Sequence, residues 1–86
     1  MLVVMSLYVE TKALEGVIDE LKKMPEVVDL FEVTGDYDLV ALIEAESIEK
    51  FRSTLVDRIL KIKGIRGTNS SVVLHIHKRA GRLLEE

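Results

Sequence analysis

The chain has 86 residues, 48% of them hydrophobic and 31% charged, with a formal net charge of −3. That length gives one small domain with enough apolar side chains for a packed core, and the mild acidity leaves no broad basic field for nucleic acid. The absence of cysteine excludes disulfides, thiolate nucleophiles and thiolate metal sites.

The apolar start meets Glu10 too soon to span a bilayer and lacks a basic leader or a small-residue cleavage site. The reading is a cytoplasmic protein without a membrane partner. The chain has no glutamine, a single asparagine and many Glu, Lys and Arg, which points to a thermophilic source.

Leu2 to Glu10 reads as a strand with Val3, Met5, Leu7 and Val9 on one face. Thr11 is placed to cap a helix in which Ala13, Leu14, Val17, Ile18, Leu21 and Met24 recur at helical spacing. Pro25 stops it, because proline restricts the residue before it and donates no backbone hydrogen bond. Val27 to Thr34 forms a second strand, Gly35-Asp36 a tight turn, and Asp38 to Ala45 a third strand. Ser47 caps a second helix with Ile48, Phe51, Leu55, Ile59 and Ile62 along one stripe, and Gly64 follows its end. Thr68 to His77 is the fourth strand. Residues 1–78 make the domain, and residues 79–86 a charged tail that is either flexible or a short helix.

The order βαββαβ gives a ferredoxin-like α+β fold, a four-stranded antiparallel sheet with two helices on one face. The other face is bare yet apolar, since Leu2, Val4 and Tyr8 alternate with the core residues of the first strand, and Val40 and Leu42 with those of the third. A sheet apolar on both faces expects cover on both. The predicted cover is a second copy, in a sheet-to-sheet dimer burying roughly 700 Å² of apolar area per partner, on the order of 15 kcal/mol before association entropy.

Turn chemistry explains Gly35 and Asp36 but not Asp38, since an acid at a strand entrance adds nothing to turn geometry. A pocket wall would use it: turn amides for a ligand carboxylate, and an acidic side chain for its ammonium. Gly35-Asp36-Tyr37-Asp38 ahead of an aliphatic strand resembles the signature of the Lrp/AsnC (feast/famine) transcription regulators, in their C-terminal effector or RAM domain. The run Gly64-Ile65-Arg66-Gly67-Thr68-Asn69-Ser70 is similar to that family's entry into its last strand, and Val27 to Gly35 to its second strand. The resemblance covers Leu2 to about Lys78.

It implies a ferredoxin-like domain that dimerises through its sheets, with dimers assembling into an octamer or decamer ring. It implies a small-molecule amino acid effector held between dimers, with Gly35, Asp36, Tyr37 and Asp38 framing the site and Thr68 and Ser70 as hydroxyl partners. Ser70 stands where the pattern has threonine, and Gly67 loosens the strand entrance. The family's helix-turn-helix has no counterpart, and Arg66, Lys78, Arg79 and Arg82 are too scattered to replace one. The implied protein is a stand-alone RAM domain without direct specific DNA binding, which joins full-length regulators and modulates their assembly. The alternatives are a purely structural assembly partner without a ligand, and an ACT-like sensor, although the glycine-bearing first loop of the latter is missing.

Competing chemistries fare worse. His75 and His77 share a strand face, but metal would want three or four ligands, so no metal or cofactor is assigned. No Ser-His-acid arrangement is visible, and nothing near Asp36 and Asp38 suggests a desolvated cleft, so the chain is read as non-enzymatic.

Overall fold

The computed structural model describes residues 1–84. Alternation along the first strand decides the architecture; it breaks only at the start, where Leu2, expected on the bare face, is buried like Val3. In β1 (Leu2–Val9), Val3, Met5, Leu7 and Val9 are buried, whereas Val4 and Ser6 are half-buried and Tyr8 is exposed. The following α1 (Leu14–Lys22) buries Val17 and Leu21, four residues apart and thus on one helical face. Next come β2 (Val27–Glu32), β3 (Leu39–Glu44), α2 (Ile48–Asp57) and β4 (Ile65–Val72). The sheet is antiparallel with order β2-β3-β1-β4, so β1 and β3 are central. Their buried side chains, with Val17, Leu21, Phe51 and Ile59, make one core between sheet and helices. The ferredoxin-like α+β fold expected from the element order is the one observed.

Both border strands carry one extra residue relative to their neighbours. Val28 is bypassed in the pairing of β2 with β3, and Arg66 in that of β4 with β1.

Several local expectations are corrected. Thr11 does not cap α1; it opens a 3-10 turn (Thr11–Ala13) in which the Glu10 carbonyl accepts from the Ala13 amide at 2.9 Å. The backbone satisfies that entry without a side chain. Ser47 does cap α2, its hydroxyl accepting from the Lys50 amide at 3.1 Å. The stripe expected along one helix is split: α2 buries Phe51 and ends at Asp57, Ile59 is buried on a separate 3-10 turn (Ile59–Lys61), and Ile48, at the first helical position, stays 57% exposed.

The fourth strand was expected over Thr68 to His77 and is found over Ile65–Val72. It can pair only where β1 runs beside it, and the Val73 amide donating to the Leu2 carbonyl at 2.9 Å is the bond at the end of β1. Apolar content beyond Val73 suggested a longer strand, but no partner edge continues there. His75 and His77 therefore lie off the strand. The tail is neither a helix nor unstructured over its described part: β5 (Lys78–Arg79) and β6 (Arg82–Leu83) pair as a hairpin. Its two central residues, Ala80 and Gly81, both have positive φ, the geometry that suits strand twist in a two-residue turn. Glu85 and Glu86 of that tail lie outside the described residues.

Candidate ligand-binding site

The segment between β2 and β3 is longer than a two-residue hairpin. Residues 33–38 form the loop, closed at its base by the Val33 amide donating to the Asp38 carbonyl at 3.0 Å. Gly35 has φ of 103°, a left-handed value that favours glycine at this bend.

Three contacts fasten the loop to the sheet. The Asp38 amide donates to the Leu7 carbonyl at 2.9 Å. The Asp38 carboxylate accepts from the Val9 amide at 2.8 Å. Asn69 donates from its side-chain nitrogen to the Tyr37 hydroxyl at 3.1 Å. Asp38, which turn chemistry left unexplained, thus has a role in the fold: it supplies an acceptor at the end of β1, just past the last β3 pairing at Leu7–Leu39.

Tyr37 lies across the open face. Its ring centroid is 4.4 Å from that of Tyr8, with the planes tilted by 34°. The hydrogen bond shared with Tyr37 is the main reason the Tyr8 phenol is held above the ordinary tyrosine range; the field of Tyr37, partial desolvation and the charges of Asp36 and Asp38 add to it. A shallow cleft of about 320 Å³ opens beside this pair, lined by Tyr8 and Arg66. Gly67 lies opposite Tyr8 in the ladder, and a Cβ there would come within 3.7 Å of the Tyr8 ring, an ordinary contact.

The structure therefore brings Gly35, Asp36, Tyr37 and Asp38 together with two residues that sequence reasoning missed, Tyr8 and Asn69. It does not bring Thr68 and Ser70 to them within one chain. In the ladder Thr68 pairs with Leu7 and Ser70 with Met5, so both point to the helix side, whereas Asn69, opposite Ser6, points to the open side. Strand parity was the missing signal: with the register known, the chain's one asparagine falls on the face of Tyr8. Among the described residues, the backbone amides of Gly35, Asp36 and Tyr37 donate no hydrogen bond within the chain. Asp36 is exposed beside them.

Larger clefts lie elsewhere. One of about 420 Å³ sits at the other end of β3, between Glu26, Glu44 and Lys50, where Glu26 is already paired with Arg58 at 2.6 Å. The rings of His75 and His77 meet edge-on with centroids 4.6 Å apart, and no group of three or more metal-ligating side chains gathers among the described residues. No described helix is long and apolar enough to cross a membrane.

A family model described as the Lrp/AsnC ligand binding domain matches residues 2–83. The chain belongs to this family. The HTH-type transcriptional regulator FL11 of Pyrococcus furiosus is 39% identical over 67 residues, which cover 78% of this chain and 44% of FL11. The chain thus spans less than half the length of that relative. The transcriptional regulator NMB0573 of Neisseria meningitidis, solved in complex with L-Met, has a TM-score of 0.88 at 24% identity, covering 96% of this chain and 55% of the other. TTHA0845 of Thermus thermophilus has a TM-score of 0.84 at 22% identity, covering 91% and 98%. These two likenesses show the fold. This Lrp/AsnC domain is accordingly a regulatory ligand-binding module of the kind found in transcriptional regulators, and its thermophile-like composition fits the Pyrococcus relatives.

Proposed function

We propose that this domain binds a free amino acid at the Gly35–Asp38 loop where two dimers meet, and that binding changes its assembly. The supporting observation is the fastened loop with three unengaged amides beside an exposed carboxylate. These unengaged backbone N–H groups receive a ligand carboxylate, and Asp36 receives its ammonium. The loop is open to solvent in one chain, so a neighbouring copy must close the site. Thr68 and Ser70 would then act from that copy.

Dimerisation is proposed through the open sheet face, where Val4, Val40 and Leu42 are half-buried and Phe31 is 48% exposed. Dimers joining at the loops would give an octamer or decamer ring. The same faces would let the domain join full-length Lrp/AsnC regulators and modulate them, without catalysis and without direct sequence-specific DNA contact.

Thermal shift across the common amino acids tests this, with methionine first because the Neisseria relative was solved with it. A ligand at 100 times its Kd should stabilise the domain by about 2.7 kcal/mol. No shift with any amino acid would favour a second reading, an assembly partner without a ligand. The bond from Asp38 to Val9 supports that alternative, because it gives the acid a structural role.

A further inference from the structure

The segment after β4 is poorly accounted for by the fold of one chain. Leu74 is 96% exposed and Leu83 77%, with Leu84 also open to solvent. The hairpin register sets Arg79 directly opposite Arg82, so two guanidinium groups share one face of a two-stranded ribbon. Like charges so placed repel unless an anion lies between them. Among the described residues neither arginine, nor Lys78, engages in an ion pair or a side-chain hydrogen bond. At the tip, Ala80 holds φ of 52°, a region that L side chains enter only at a cost. Exposed leucines, opposed cations and a strained alanine describe a segment shaped for a surface other than its own body.

We infer that residues 73–84 are an arm that clasps the sheet face of a second copy of this chain, with Arg79 and Arg82 meeting Asp29 and Glu44 of that copy. Charge complementarity selects the occupant. Residues 77–84 contain three cations and no carboxylate, while the rest of the described chain is net negative. On the open sheet face the strands present two carboxylates, Asp29 opposite Leu42 and Glu44 opposite Leu2. Glu44 is exposed enough to take a second cation beside the Met1 ammonium 3.5 Å from it. The arm leaves the sheet beside that face, its root lining a cleft of about 330 Å³ with Leu2, Glu44, Val73, Leu74 and Ile76. The molecule measures 46 Å along its longest axis, whereas an eight-residue strand spans roughly 27 Å. The exposed leucines favour a protein surface over a phosphate backbone, because a nucleic acid would use the cations and leave the leucines wet.

This inference rests on the face-to-face dimer proposed above, and a charge exchange separates the two. Sedimentation equilibrium would compare the intact chain with Arg79→Glu/Arg82→Glu, with Asp29→Lys/Glu44→Lys, and with an equimolar mixture of the two variants. All four side chains are at least partly solvent-accessible. Each variant alone should raise the dimer Kd about tenfold or more at low salt, with the loss shrinking at high salt. The mixture should recover wild-type association, since every arm then faces an oppositely charged sheet. Wild-type dimerisation that is indifferent to the arginine reversal, or a mixture that stays weak, overturns the arm while leaving the dimer standing. A wild-type chain that stays monomeric at all concentrations overturns the dimer itself, and the arm with it.

Discussion

The Asp38 carboxylate and the Val9 amide meet at 2.8 Å, across 29 residues of sequence, and this bond ties the loop of residues 33–38 to the end of a central strand. A hydrogen bond to an ionised acceptor that closes a partly buried donor contributes more than a neutral one. Asp38→Ala is therefore expected to lower stability by about 1–3 kcal/mol in urea unfolding at fixed protein concentration, and Asp38→Asn by less, because the amide oxygen still accepts. A wild-type midpoint for Asp38→Ala would release the residue for ligand binding alone. Turn chemistry left Asp38 to a pocket wall; the structure gives it a bond in the fold.

Ultraviolet titration should find Tyr8 ionising above the ordinary tyrosine value of 10.0, and Tyr37→Phe should bring the midpoint down by removing the shared hydrogen bond. The raised value has a definite sign for stability. The folded state holds the phenolic proton more tightly than the unfolded chain, so the contribution is complete below the unfolded pKa and is lost as pH rises through the folded one. A Tyr37→Phe midpoint equal to the wild-type value would mean that the ring contact, not the hydrogen bond, governs the pair.

Gly64 has φ of 102°, and a Cβ placed on it would collide with the Cβ of Ala13. Gly64→Ala should cost at least ~2 kcal/mol, part from left-handed backbone and part from the collision. Adding Ala13→Gly should recover only the second part. Thermal melts of the two variants separate the components, and full recovery in the double variant would assign the whole cost to crowding.

Leu42 is half-buried on the open face, opposite Val4. Leu42→Glu should leave the monomer folded and weaken the dimer by about 2 kcal/mol or more, some thirtyfold in Kd, because it places a charge in an apolar interface. Light scattering across a dilution series reads the change. An unaltered dimer would place the interface elsewhere.

Element order, core residues and the capping role of Ser47 could be read from the sequence because each rests on local periodicity or a single hydrogen bond. What could not be read depends on neighbours distant in the chain. The span of β4 follows the length of β1, and the face of Asn69 follows a register offset by the extra residue Arg66. The terminal hairpin turns on Ala80 in a conformation uncommon for alanine, which no sequence rule would assign. Asp38 illustrates the same limit: its oddity was visible at the strand entrance, but its partner sits on another strand.

Val28 and Arg66 each interrupt the ladder of an outermost strand. A border of that kind is a poor template for further strands, since an incoming chain would meet a kink rather than a continuous row of amides and carbonyls. Sideways extension of the sheet past either border is thereby disfavoured. For a protein with so much apolar sheet, these interrupted edges are a guard against running on into fibrils.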